Sequence, residues 1–155
     1  FDLAERSFYR AVRELQRYLG REHPCVATAL IDIGYFHAEK SEFDKAQEFF
    51  HEALEMRLKV FGQSHIYVAN TYIMIGEVFE KKDEIIHAIT YFNNALEVQK
   101  KVLGRNQEET LKTKEKVDML LRKVSFFTVA SNRFQAVAGK LFNRKKEGIK
   151  VRDGM

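Results

Sequence analysis

The 155-residue chain contains no tryptophan, one proline (Pro24) and one cysteine (Cys25). Proline removes a backbone donor and breaks helix interiors, so a single one leaves room for long uninterrupted helices. A lone cysteine excludes an internal disulfide and favours a reducing compartment. No run approaches the roughly 20 apolar residues that a membrane-spanning helix needs, and no cleavable signal peptide is visible. Phe1 in place of an initiator methionine reads as a fragment or a processed form. G-x-S-x-G, P-loop and G-x-G-x-x-G motifs are also missing, so the common nucleophile and phosphate chemistries have no carrier. The histidines (His23, His37, His51, His65 and His87) form no H-x3-H or H-E-x2-H pair, and no metal site is expected. Carboxylates such as Glu48, Glu52 and Glu55 fall at helical spacing among lysines and arginines, the pattern of a solvated helix face rather than of an acid–base pair. Cys25 has no histidine–acid partnership and reads as structural. These absences describe a chain that is not an enzyme, with no cofactor and no small-molecule substrate.

What is present is ordinary in amount and unusual in order. Hydrophobic residues make up 45% and charged residues 31%, which suits one compact domain or a few stacked repeats. The net charge of +4 is uneven. Residues 126–155 hold seven Lys or Arg against Glu147 and Asp153, a local +5, while the rest of the chain stands near −1. The basic balance belongs to the tail and says nothing about the body.

A fixed period organises the rest. Gly20, Gly62 and Gly104 lie 42 apart. In the same register fall Ala4, Ala46, Ala88 and Ala130, then Phe8, Phe50, Phe92 and Phe134, then Ala11, Ala53 and Ala95 with Val137 following. Each unit thus carries A-x3-F-x2-A on one element, and Ile33-Gly34 and Ile75-Gly76 mark a second element upstream. Spacings of four and three place Ala46, Phe50 and Ala53 on one helix face. The alanines let a neighbouring helix approach, the phenylalanine fills the gap, and Gly34 and Gly76 serve the same closeness from the partner helix. Asp44 reads as an N-cap with Gln47 completing a capping box, and Asp83 occupies the related place in the next unit. Gly20, Gly62 and Gly104 suit left-handed C′ positions, and Pro24 fits a helix first turn after His23. Helices are expected near 2–19, 24–40, 44–61, 66–82, 85–103 and 107–124, with a last one near 128–146.

This pattern resembles the tetratricopeptide repeat, in its 42-residue kinesin light chain-like variety. The resemblance rests on Leu19-Gly20-Arg21-Glu22-His23-Pro24-Cys25-Val26-Ala27 and Phe49-Phe50-His51-Glu52-Ala53-Leu54-Glu55-Met56. It implies an all-α fold, a right-handed superhelical solenoid of antiparallel helix pairs with about seven helices. Units lie near 1–26, 27–68 and 69–110, with the next starting at 111. The array covers 1–125, and 126–155 forms a degenerate last helix or cap with a basic tail. The chain departs from the pattern at Ile66, Gln107 and Asp118, which replace the proline, the histidine and the packing glycine, so the third hairpin should be looser or act as a cap.

The resemblance also implies a concave groove lined by the first helix of each pair. Projected onto this chain, the groove takes Thr28, Ile31, Asp32, Tyr35, Ala38 and Glu39 from one unit. It takes Asn70, Ile73, Met74, Glu77, Glu80 and Lys81 from the next, and Lys112, Glu115, Lys116, Met119, Arg122 and Lys123 from the third. Ile31, Tyr35, Ile73, Met74 and Met119 form its apolar stripe, the kind of surface that marks a partner site. Glu77 and Glu80 stand where a carboxylate clamp would need lysines and asparagines, so a co-chaperone role is disfavoured. The expected function is a scaffold or adaptor that binds a peptide or helix of a partner protein in this groove. The alternative is a structural subunit of a larger cytoskeletal, axonemal or other assembly, docked by its convex face or ends. A cytoplasmic, cytoskeleton-associated location follows from the resemblance. The tail, with Lys140, Arg144, Lys145 and Lys146, reads either as a basic binding element or as a cap whose apolar side covers the last repeat. The register of Ala130 and Phe134 favours the cap, and neither nucleic acid nor membrane is the expected partner.

Overall fold

In the computed structural model, which describes residues 2–128, the helices follow the 42-residue period. They are α1 (Asp2–Leu19), α2 (Pro24–Glu39), α3 (Phe43–Phe61), α4 (Ile66–Lys81) and α5 (Ile85–Val102). Residues 108–128 are helical as a sixth element, α6, and no strand occurs among the described residues. The chain divides into two compact units, Phe1–Asp118 and Met119–Met155. The first holds α1 to α5 and the opening of α6. Its tightest pairings are α2 on α3 and α4 on α5, with α3 on α4 and α1 on α2 joining successive pairs. The helix expected near 128–146 and the tail lie outside the described residues.

The small residues explain the pairing. Ala46 and Ala53 of α3 and Ala88 and Ala95 of α5 are fully buried, and Phe50 and Phe92 between them are 0% and 2% exposed. A Cβ added at Gly34 would stand 2.6 Å from Cδ1 of Phe50, and one at Gly76 would stand 3.2 Å from the Phe92 ring. Glycine is thus what lets α2 and α4 lie against those rings. The buried set, including Val12, Val26, Leu30, Ile33, Leu54, Val68 and Ile75, joins α1, α2, α3 and α4 in one core, with Tyr91 of α5 packed against it.

The helix ends differ in part from the sequence reading. His23 and His65 are N-caps, and their Nδ1 atoms accept from the backbone N–H of Cys25 at 3.2 Å and of Tyr67 at 3.1 Å. This accounts for histidine recurring at one repeat position. Asp44 is not an N-cap. It lies in the first turn of α3 and accepts from Lys82 at 2.9 Å, while Glu42 holds the cap position without a side-chain cap bond. Asp83 is not a cap either, but a left-handed turn residue (φ 60°) matching Ser41 (φ 61°). The backbone closes these turns itself, through Glu42 N–H to the His37 carbonyl and Glu84 N–H to the Phe79 carbonyl, both 2.9 Å. Glu42 and Glu84 instead receive Lys40 and Lys82, each at 3.0 Å.

The expected end near 124 is also corrected. Residues 124–128 stay helical, and Ser125, the register equivalent of Ser41 and Asp83, donates its hydroxyl to the Leu121 carbonyl at 2.9 Å. The Lys-x-Glu of the two earlier turns is here Val124-Ser125-Phe126. The third position thus lacks both the left-handed residue and the Lys–Glu pair of the earlier turns.

Candidate functional site

Two cavities open on the face made by α2 and α4, both within the first unit. The larger, about 620 Å³, is lined among others by Thr28 and Asp32 of α2, Arg57 and Phe61 of α3 and Tyr67 of α4. The second, about 320 Å³, brings Asn70, Ile73 and Glu77 of α4 together with Phe92 and Gln99 of α5 and Lys112 and Lys116 of α6.

Arg57 forms the floor of the first cavity. It is 7% exposed, and its Nη1 donates to the Tyr67 carbonyl at 3.1 Å and to the Thr71 hydroxyl at 2.9 Å. Its guanidinium lies 5.3 Å from the centre of the Tyr67 ring. No carboxylate of a described residue pairs with it, and burial pushes its pKa down from the ordinary arginine value. Neutral oxygens and an aromatic face therefore compensate this charge.

Tyr35 of α2 is 41% exposed and packs edge-on to Phe50 with ring centres 5.3 Å apart. Burial, with Glu77 nearby, raises its phenol pKa. Partial desolvation raises the Glu77 carboxyl as well, against the pull of Lys116 and Lys81. Across the face, Lys81 lies 3.7 Å from Glu39, and Lys116 lies 2.8 Å from Glu80.

Of the expected groove residues, Thr28 and Asp32 line the first cavity, and Asn70, Ile73, Glu77, Lys112 and Lys116 line the second. Ile31 and Ala38 do not: they are 4% and 5% exposed and belong to the core. The helical wheel places Ile31 beside the outward face, but the packing of the neighbouring helices covers it. Met74 is half-buried against the same core. Met119 and Arg122 are exposed and lie in the second unit. The sequence reading missed Arg57 and Gln99. Both occupy one register column, Leu15-Arg57-Gln99, and a charged and a polar residue in a column otherwise held by leucine was the signal that could have found them. Among the described residues no group of three or more His, Cys, Asp or Glu could hold a metal ion, and no helix is long and apolar enough to cross a membrane.

A model of the tetratricopeptide repeat matches residues 1–59 and 26–101. The chain belongs to the tetratricopeptide repeat family. Such repeats generally mediate protein–protein interaction and typically act without catalysis. No curated protein sequence matches. Among solved structures, BtubC (BKLC) from P. vanneervenii is similar with a TM-score of 0.72 at 18% identity, covering 82% of this chain and 51% of that one. A putative kinesin light chain from Podosopora anserina with nearly identical TPR-like repeats has a TM-score of 0.66 at 13% identity, covering 77% of this chain and 56% of that one. The chain thus spans about half the length of these structures. At such identities they establish the solenoid fold, and this repeat array shares it.

Proposed function

We propose that this tetratricopeptide array is a non-catalytic scaffold or adaptor that holds a peptide or helix of a partner protein on the α2–α4 face. The observation that carries this reading is the pair of cavities, about 620 and 320 Å³, on one side of successive repeats. Together they offer half-buried apolar side chains such as Ile73 and polar groups such as Arg57 and Gln99 at fixed depth, the composition of a recognition groove. A cytoplasmic, cytoskeleton-associated setting belongs to the same proposal and draws on the likeness to a kinesin light chain.

The test is affinity capture with the intact chain and with the Tyr35→Ala/Ile73→Ala variant, followed by titration of each captured partner's segment. Neither side chain is fully buried, so the variant should fold. Loss of partners in the variant supports the groove, and unchanged affinity for every partner overturns it.

A second reading, a structural subunit of a larger assembly, is favoured by one observation. Ala4 and Ala11 of α1 are exposed, whereas their register equivalents in α3 and α5 are fully buried. The α1 face is built like a buried one, and no helix among the described residues covers it. A chain that is monomeric and fully folded at micromolar concentration would count against this reading.

A further inference from the structure

We infer that the cavity between α4, α5 and the opening of α6 is a socket for a basic side chain, arginine or lysine, of the segment held in the groove. The inference rests on the groove reading above and names what one of its two cavities recognises. Gln99 occupies the register position of Arg57 but presents the opposite need. Its side chain is 1% exposed, it lines the cavity, and its Oε1 accepts no hydrogen bond from any described residue. A buried carbonyl oxygen left without a donor is costly, and a ligand N–H would remove that cost. Glu77 takes the place that Tyr35 holds one repeat earlier. Its carboxylate lines the same cavity without a hydrogen bond or ion pair to a described residue.

The two lysines in the wall do not supply that missing partner. Lys116 is bridged to Glu80 at 2.8 Å and Lys112 to Glu108 at 2.6 Å. The cavity wall itself sets two carboxylates, Glu77 and Glu109, against Lys112 and Lys116, and both lysines are already engaged by Glu108 and Glu80 outside the wall. Desolvation raises the Glu77 carboxyl in spite of Lys116 and Lys81. Phe92 at the back gives an apolar wall for the stem of a long basic side chain. A guanidinium or ammonium in the cavity can pair with the Glu77 carboxylate and donate to the Gln99 carbonyl, whereas a carboxylate would add a third acceptor beside those two.

The experiment titrates the 155-residue chain with N-acetyl-argininamide and, separately, with N-acetyl-glutamate, following the Gln99 side-chain amide and the Ile73 methyl groups by NMR. Saturable shifts with the arginine probe and none with glutamate are expected. Glu77→Gln should weaken the arginine probe by about tenfold, the loss of one charge-assisted hydrogen bond. Gln99→Met should weaken it while leaving the melting temperature no lower, since it removes an unpaired acceptor at similar volume; a merely structural glutamine would show a fall. Equal binding of both probes, binding of glutamate alone, no saturable shift, or indifference to Glu77→Gln would overturn the socket. If the Tyr35→Ala/Ile73→Ala variant still loses partners while the arginine titration is blank, the groove stands and the socket falls.

Discussion

At the scale of single residues, the decisive contacts are those that leave no room. Alanine favours a helix over glycine by about 1 kcal/mol, yet at Gly34 its methyl would press into the fully buried Phe50 ring. Overpacking of that kind costs ~1–3 kcal/mol, so Gly34→Ala should lower the melting temperature. Gly76→Ala has more space and should be close to neutral. Thermal melts of the two variants check the order, and equal effects would mean that Phe50 yields as easily as Phe92.

Glu42 is the second residue to single out. Hydrogen bonds from Lys45, then Lys40, then His37 hold its pKa down from 4.5 to about 2. A lowered folded-state pKa stabilises the fold above the unfolded value and is lost as pH falls through the folded one. Stability should therefore decline between about pH 4.5 and 2. Glu97 and Glu108, both also lowered, add to the decline. Glu42→Gln should make the melting temperature less dependent on pH across that window, which acid melts of the variant would read.

At the scale of elements, each helix is bounded by a different device. α2 and α4 begin at capping histidines, and α3 and α5 begin after backbone-closed left-handed turns. Removing a side-chain cap costs about 1 kcal/mol, so His65→Ala should destabilise and His65→Asn should recover most of the loss. Equal melting temperatures for the two would assign the histidine to its stacking on Phe61, with ring centres 4.4 Å apart, rather than to the cap. The pairing of elements has a sharper test. Ala53 is fully buried in the array, and Ala53→Glu would bury an unpaired charge at a cost of about 3 kcal/mol or more. An unmoved melting temperature would show that the repeat register is wrong.

At the scale of the first unit, stability is shared between neighbours along a line. α1 contacts fewer partners than α3, and its Ala4 and Ala11 face is open. Amide exchange should accordingly be slowest in α3 and α4 and fastest in α1, because local opening follows the density of buried contacts. Slow exchange throughout α1 would mean that its open face is covered in solution, as a structural subunit requires.

The 42-residue period determined the helices and their close pairing, because Ala-x3-Phe-x2-Ala and the offset glycines recur in one register, and the resemblance those motifs carry implied the solenoid. The same resemblance, projected onto the register, offered Tyr35, Asn70, Ile73 and Glu77 as groove residues. Periodicity could not say how deep each one sits. The burial of Ile31 depends on how closely the neighbouring helices approach, and the continuation of α6 shows that Ser125 does not take the left-handed turn of Ser41 and Asp83. It was likewise silent on Arg57 and Gln99, which lie on the second helix of each pair and reach the α2–α4 face only through the gap that packing leaves between helices. Which polar atoms are left without partners is a property of that gap, and only the tertiary structure decides it.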